Sequence, residues 1–335
     1  MSSILITGGS GYIGSHMVLY LLERDYHCVV VDNLSNSYEN VIQKIVEHTK
    51  KPHLLQFHQA DITHFQTMDS IMSQYSFSAC IHFAGVKVVG ESVQNPLKYY
   101  HNNVTGSCVL IDLLRKHYCK NIIFSSSSTV YGDSNSKDIL EKSPLKPVNP
   151  YGRTKRIVEQ MLEDVSLSEP NEWNIDILRY FNPVSHKIDI LKETPKGTPK
   201  NLFPFVMQVL EGKQDKVRIF GDTYLTKDGT GVRDYIHVMD LIEGHYTCLR
   251  NILLRVNTTQ KTLCRTYNLG TGVGTSVLEV VKTFEKCAQK KIPYSICSIR
   301  SGDVACSVCN TDKIQEELGW TAKYTIEDAI QDMLF

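Results

Sequence analysis

Residues 7–16 read TGGSGYIGSH, and three glycines three residues apart, Gly8, Gly11 and Gly14, follow directly on the apolar run Ile4–Ile6. So short an apolar run reads as a buried strand. Beyond the glycines, SHMVLYLLERDY continues a pattern in which Ile13, Met17 and Leu21 stand four apart, as on one face of a helix. Strand, tight turn and helix is the setting in which backbone N–H groups at a helix N-terminus face an anion. A side chain at Gly8 or Gly11 would block a pyrophosphate there, and Gly14 lets the helix lie close to the strand. A second strand, Cys28–Val31, ends in Asp32, 18 residues past Gly14. That is near the spacing of a carboxylate that binds a ribose 2′-hydroxyl. The set reads as a dinucleotide site; a strand–helix turn with no ligand is the competing reading. A carboxylate at Asp32 repels the 2′-phosphate of NADP, and the following NLSNS has no Arg or Lys to receive one, so the expected cofactor is NAD.

Working outward, strand-like runs recur at Leu54–Phe57, Ala79–Phe83, Asn121–Ser125 and Ile175–Tyr180, with helical stretches such as Val104–Lys116 between them. This alternation predicts an α/β fold, a doubly wound parallel sheet of Rossmann type. Ligands of such sheets gather at the carboxyl ends of strands, here Asp32, Asp61, Phe83–Gly85, Ser125–Ser128 and Phe181–Asn182. After Asn182 the polar, Pro-containing stretch SHKIDILKETPKGTPKN reads as a long loop opening a smaller mixed α/β region. A helix at Leu202–Leu210, a strand at Val217–Phe220, a helix at Leu241–Leu254 and a strand at Thr266–Leu269 follow. The expected division is 1–182 for NAD and 183–335 mainly for substrate, with about 234–270 returning to the first domain.

The 335 residues carry 36 Lys+Arg against 36 Asp+Glu, a balance that leaves no footprint for nucleic acid or an anionic membrane. No apolar run is long enough to span a bilayer, and the chain enters a strand at once, leaving no room for a signal peptide. Ten cysteines without a regular framework suit a reducing, cytoplasmic setting. Cys306 and Cys309 form a CxxC that lacks two further ligands at zinc spacing, so both read as ordinary thiols and no metal is expected. The N-x-T matches at Asn103 and Asn257 read as chance.

The segment NPYGRTK places Tyr151 and Lys155 four apart, on one helix face, with Pro150 suited to the first turn. An ammonium beside a phenol favours the phenolate, which makes Tyr151 a candidate base. Upstream, FSSSSTVYG adds hydroxyls at a strand end, where Ser127 can hydrogen-bond both a substrate hydroxyl and the phenol; Ser125 and Ser126 read as turn residues.

Taken together, TGGxGxIG, the Ser-Tyr-x-x-x-Lys set, FAGVKVVGES, NPYG, YFNPV, DGTGVRDYIHV and RSGD resemble the UDP-glucose 4-epimerases of the extended short-chain dehydrogenase/reductase family, from residue 2 to about 330. The resemblance implies a bound NAD and a UDP-hexose substrate. Tyr151 would take the proton of the sugar 4′-hydroxyl while the C4 hydride passes to the nicotinamide. A 4-keto sugar would then turn over and receive the hydride on its other face. Ser127 would bridge sugar and tyrosine, and Lys155 would bind the nicotinamide ribose. It further implies cofactor contacts at Tyr12 and Ile13, at the loop Asp32, Asn33, Leu34, Ser35 and Asn36, at Asp61 and Ile62, and at Phe83, Ala84, Gly85, Lys87, Asn102 and Tyr180. On the substrate side it implies Lys87, Ser127, Ser128, Thr129, Tyr151, Phe181, Asn182, Asn201, Leu202, Arg218, Ile219, Phe220, Arg233, Arg300, Asp303 and Ser307. Two arginines, Arg233 and Arg300, suit a diphosphate, and Asp303 suits a ribose. A homodimer and a place in galactose metabolism come with the family.

The sequence departs from that family at YFNPVSHKIDI, where Gly-Ala-His-Pro usually follows YFNPV: the loop at Ser185-His186 reads one residue shorter, and the glycine with its φ > 0 freedom is lost. Ser128 replaces a usual alanine. Ser307 is small at a position that flanks the sugar, which leaves room for UDP-GlcNAc and UDP-GalNAc. Two other activities compete with this reading. A nucleotide-sugar 4,6-dehydratase would place an Asp-Glu pair where Ser128-Thr129 stands, and a non-catalytic sensor could lose the Tyr–Lys pair that this chain keeps.

Overall fold

The computed structural model of the chain describes residues 2–134, 136–188, 191–192, 201–255, 264–299 and 303–335. Arg300 and Asn257 lie outside the described residues. The strands, in chain order, are β1 Ser3–Thr7, β2 Cys28–Asp32, β3 Leu55–Gln59, β4 Phe77–His82, β5 Asn121–Ser127, β6 Ser136–Ile139, β7 Asn174–Tyr180, β8 Asn182–Val184, β9 Val217–Phe220, β10 Val232–His237, β11 Cys264–Leu269, β12 Gly274–Ser276, β13 Tyr294–Cys297 and β14 Cys306–Cys309. By contacts the chain divides into two compact units. The first comprises Met1–Gly132, Leu145–Arg179 and Ile242–Tyr267, and the second Asp133–Pro144, Tyr180–Leu241 and Asn268–Phe335.

The first unit is built on a seven-stranded sheet in the order β11-β7-β5-β4-β1-β2-β3. β1 pairs in parallel with both β2 and β4, β2 with β3, and β4 with β5. β1 and β2 are buried along their whole length, as strands covered on both faces must be. Helices Gly106–Lys116 and Pro150–Ser168 pack Leu110, Leu114, Val158 and Leu162 into a core with Leu5, Val29, Phe124 and Ile177. Strand order reverses at β1, so the crevice at the carboxyl ends of β1 and β4 is the switch point where doubly wound sheets bind ligands.

The second unit holds a sheet ordered β12-β10-β14-β6, with β8 beside β10, and a two-stranded pair β13-β9. Helices Leu202–Leu210, Val277–Ala288 and Ile326–Leu334 supply Phe203, Val206, Phe284 and Ile330 to its core with Val217 and Ile219.

Most predicted elements fall where expected, and the differences have local causes. The strand expected at Leu54–Phe57 starts at Leu55 because Pro52–Leu54 forms a 3₁₀ turn. The helix expected from Val104 is α-helical only from Gly106, because Tyr100–Thr105 takes the wider π-helical winding. The helix expected at Leu241–Leu254 runs from Val238 to Arg255.

At the altered loop, Ser185 has φ +72° and is buried. A serine therefore carries the left-handed backbone that a glycine would adopt freely. Ser185→Gly is expected to stabilise the fold by about 1 kcal/mol, measured by urea unfolding. An unchanged midpoint would mean that the neighbours of Ser185 already offset the strain.

Candidate active site

At the end of β1 the chain turns at Gly8, φ +73°, and enters the helix Tyr12–Glu23. A side chain at Gly8 would meet the Ala84 backbone nitrogen at 2.6 Å, so the β1 turn and the β4 turn lie in contact. Gly11 caps the helix without a side-chain hydrogen bond, and its first turn carries no acid. Ser10 Oγ, in the same turn, is buried without a hydrogen-bond partner. An uncapped helix N-terminus beside an orphaned hydroxyl fits an anion such as a pyrophosphate.

Asp32 sits at the end of β2 and is buried. Its Oδ2 accepts from Ser10 N at 3.0 Å, and its Oδ1 from Leu34 N at 2.8 Å and Ser37 Oγ at 3.0 Å. These bonds tie the glycine turn to the loop of Asn33, Leu34, Ser35 and Asn36. Leu34 holds φ +57°, a strained value that points to a working loop. Asn33 Nδ2 donates to Asp61 Oδ2 at 2.8 Å, and Ser35 N to Asn33 Oδ1 at 3.0 Å. Burial works to raise the Asp61 carboxyl, but bonds from Thr63 and Asn33 hold it below the usual carboxylate range. Ile62 beside it is buried.

Behind the β4 end, Phe83 packs against His245 at 5.0 Å between ring centres. Gly85 and Lys87 are exposed, and Lys87 Nζ stands 5.6 Å from the Tyr12 ring. Sequence reasoning picked Asn102, which is half-buried; the structure gives the structural bonds to its neighbour Asn103. Asn103 Oδ1 accepts from Val86 N at 2.8 Å, and its Nδ2 donates to Val86 O and Thr154 Oγ1, each at 3.0 Å. Both asparagines lie in the π-helical turn Tyr100–Thr105, a winding common at functional sites. Below them, Ser107 donates to the Asn103 carbonyl at 2.5 Å, so its oxygen accepts from His82 Nε2–H at 2.8 Å. His82 Nδ1 then accepts from the Thr7 hydroxyl at 2.7 Å. Burial, with the Lys155 charge adding, pushes His82 down to about 3, which keeps this relay neutral.

The reacting groups come from β5 and the helix Pro150–Ser168. Asn149 caps that helix, its Oδ1 accepting from Gly152 N at 2.9 Å, and Pro150 occupies the first turn. Ser127, the last residue of β5, accepts from Thr129 N at 3.2 Å and Thr129 Oγ1 at 3.0 Å. Its own proton is left free to face the Tyr151 phenol, on which it acts electrostatically. Ser128 and Thr129 follow in a 3₁₀ turn and are half-buried. Burial pushes the Tyr151 phenol up, and the Ser127 hydroxyl pulls it back. The effect expected from the Tyr-x-x-x-Lys spacing is not among these causes. Lys155 is buried and donates to the Ser125 carbonyl at 2.6 Å. Burial lowers it to about 8, although the Glu159 carboxylate opposes the shift. Sequence reasoning missed Asn103, Glu159 and Arg179. Only Glu159 left a signal, its place four residues beyond Lys155.

In the second unit, Tyr180 and Phe181 are buried, and Asn182 on β8 is exposed opposite Tyr235. Asn201 precedes the helix that Leu202 opens, without a side-chain cap. Arg218, Ile219 and Phe220 lie on β9 against Ser295, Ile296 and Cys297; Ile219 is buried and Arg218 exposed. Arg233 Nη1 donates to the carbonyls of Val232 at 2.9 Å and Val304 at 2.8 Å, and its Nη2 lies 3.6 Å from Asp303 Oδ1. Ser307, half-buried, is the register partner of Arg233 across β10 and β14. Arg233, Asp303 and Ser307 are thus brought together. Cys306 and Cys309 are buried thiols, and Cys309 Sγ contacts Asp234 Oδ2 at 3.1 Å. Among the described residues no cluster of His, Cys, Asp or Glu could hold a metal, and no helix is long and apolar enough to cross a membrane.

Residues 5–333 match the family described as GDP-mannose 4,6 dehydratase. UDP-glucose 4-epimerase 2 of Arabidopsis thaliana is 47% identical over 99% of this chain and 93% of its own length. The UDP-glucose 4-epimerase of Bacillus subtilis is 47% identical over 98% of this chain and 95% of its own. The crystal structure of a UDP-glucose 4-epimerase from Bifidobacterium longum, in complex with NAD+ and UDP, superposes with a TM-score of 0.91 at 42% identity, covering 99% of this chain and 97% of that one. With its glycine turn, its terminal acid and its Ser127–Tyr151–Lys155 group set on a switched parallel sheet, the chain belongs to the extended short-chain dehydrogenase/reductase family, among the UDP-glucose 4-epimerases.

Proposed function

We propose that the chain is an isomerase that interconverts UDP-galactose and UDP-glucose, with NAD as its cofactor. The observation that carries this reading is the placement of Ser127 at the end of β5 and of Tyr151 with a buried Lys155 on one helix face, in a unit whose switch point bears the glycine turn. When bound, NAD supplies reversible acceptance of hydride from the sugar C4. Tyr151 takes the 4′-hydroxyl proton as base and returns it as acid. Ser127 shares its hydrogen bonds between that hydroxyl and the phenol. Lys155 binds the nicotinamide ribose, and a charged ammonium on the same helix face favours the phenolate.

The first unit is the cofactor domain. Gly8, Gly11, Tyr12, Ile13 and Gly14 take the pyrophosphate, and Asp32 to Asn36 the adenosine ribose. Asp61 and Ile62 border the adenine, while Phe83, Ala84, Gly85, Lys87 and Asn102 border the nicotinamide side, as does Tyr180 of the second unit. The second unit is the nucleotide-sugar domain, with Phe181, Asn182, Asn201, Leu202, Arg218, Ile219, Phe220, Arg233 and Asp303 toward the UDP and Ser307 toward the sugar; Ser128 and Thr129, of the first unit, also serve the sugar. No carboxylate stands at Ser128-Thr129 to expel a 6-hydroxyl, which argues against a 4,6-dehydratase. The chain works as a homodimer, for which the exposed Val89, Val93 and Leu97 offer apolar surface. Ten cysteines held as thiols suit the cytosol.

A coupled assay with purified protein tests the reading. Conversion of UDP-galactose to UDP-glucose without added oxidant is expected, and a preparation that contains NAD yet converts neither sugar overturns it. The same assay with UDP-GalNAc tests the small Ser307. Turnover is expected; its absence beside good turnover of UDP-galactose would mean that the Ser185 loop refills the pocket.

A further inference from the structure

Three consecutive serines at the carboxyl end of β5 each meet the helix Pro150–Ser168 at a different residue of one face. The Ser125 carbonyl accepts from Lys155 Nζ at 2.6 Å, Ser126 Oγ donates to Glu159 Oε1 at 2.5 Å, and the Ser127 hydroxyl acts on the Tyr151 phenol. Tyr151, Lys155 and Glu159 are four residues apart, so they line up along that face.

Glu159 is fully buried, and a buried carboxylate persists only with partners. Arg179, on β7, supplies two: its Nε donates to Oε1 at 3.0 Å and its Nη2 to Oε2 at 2.9 Å. Arg156 Nη1 adds a third bond to Oε2 at 3.2 Å. Arg179 Nη1 also donates to the Tyr131 hydroxyl at 3.0 Å. Tyr131 ends the 3₁₀ turn that Ser127 caps. Ser127 is therefore gripped from both sides along the chain, through Ser126 before it and Tyr131 after it, and both grips lead to the Glu159–Arg179 pair.

A buried ion pair is weak evidence for stability, since apolar residues of similar volume often do as well or better. Fixing geometry is the use that these contacts favour. Resting on the roles given above to Tyr151, Lys155 and Ser127, we propose that Glu159, clamped by Arg179, is a positioning residue that holds the Ser126–Ser127 strand end in register with Tyr151. The same carboxylate has an electrostatic consequence. The groups facing Lys155 are Glu159 on its own helix and His82 on β4, and His82 is neutral. Tyr151, also on the Lys155 helix face, is in ring contact with Tyr99, and burial pushes both phenols up. Glu159 is thus the anion that helps Lys155 keep its proton against burial.

The test uses the NAD-loaded protein with Ser126→Ala, Glu159→Gln and, as a reference, Tyr151→Phe, reading kcat, KM, bound NAD and the pH profile. Ser126→Ala leaves the ion pair whole, and its kcat is expected to fall about tenfold with KM within about twofold and NAD retained. In Glu159→Gln the alkaline limb of kcat is expected to move to lower pH by roughly one unit, because Lys155 loses its proton sooner. Wild-type kcat in Ser126→Ala overturns the proposal, as does an unmoved alkaline limb in a folded Glu159→Gln. Should the latter fail to fold, Ser126→Ala decides alone. Full turnover in Tyr151→Phe would overturn the underlying reading, whereas an inactive Tyr151→Phe beside an unaltered Ser126→Ala overturns the positioning role only.

Discussion

Tyr151→Phe is expected to keep NAD in place and to lose about 10²–10⁴-fold in turnover, the usual contribution of a positioned acid–base group. The loss should fall on kcat, since the ring remains to pack against Tyr99, whose centroid lies 6.5 Å away. The structure also sets the sign of the pH dependence. Burial raises the Tyr151 phenol, and the Ser127 hydroxyl opposes this. A base must lose its proton before it can act, so wild-type kcat should rise with pH on its acid limb. Removing the Ser127 donor, as in Ser127→Ala, should displace that limb further toward alkaline pH. Steady-state rates across pH, with bound NAD measured in the same preparations, check both statements. A phenylalanine variant with near-normal kcat would remove Tyr151 from the chemistry.

Gly14→Ala should be among the most damaging single methyl groups at the β1 turn. A Cβ there would sit 2.3 Å from the Gly8 carbonyl oxygen and 2.8 Å from the Gly9 Cα, both backbone atoms of the turn itself. Neither can step aside without moving β1 or the helix Tyr12–Glu23. Overpacking of this kind costs about 1–3 kcal/mol. The displaced helix N-terminus should also weaken NAD binding about a hundredfold, since an ångström of misplacement has effects of that size. Gly90→Ala is the control: its added methyl would meet nothing within 4 Å, so it should be close to neutral. Thermal unfolding and NAD titration of the two variants provide the comparison. A Gly14→Ala protein that binds NAD as tightly as Gly90→Ala would show that the turn has slack absent from this geometry.

The first unit could be read from the chain because each of its signals is local. A glycine turn, an apolar run and an acid at a strand end are short-range patterns, and the parallel sheet follows from their alternation. The second unit was harder. Its strands β8 and β12 are three residues each, too short for a period to register, and β6 lies far in sequence from its partner β14. Within the site, Tyr151, Lys155 and Ser127 stood out by spacing and residue type. Asn103, Glu159 and Arg179 did not, because what marks them is burial and partnership across the fold. Adjacent asparagines at 102 and 103 look alike in sequence, and only the π-helical winding decides which one holds the Val86 backbone. The Tyr–Lys spacing predicted a shared face but not where the ammonium ends, which is on the Ser125 carbonyl.

The outermost strand of the large sheet on its β7 side is β11, Cys264–Leu269, delivered by a segment that leaves the first unit after Arg179 and re-enters it at Ile242. During synthesis, then, a nascent chain has made β7 long before its neighbour exists. Until residue 269 clears the ribosome, one flank of β7 shows bare amide and carbonyl groups, a template for mispairing with other emerging chains. Premature termination anywhere in that interval would release an open-edged sheet prone to aggregate, even though every residue of the Ser127–Tyr151–Lys155 group had already been made.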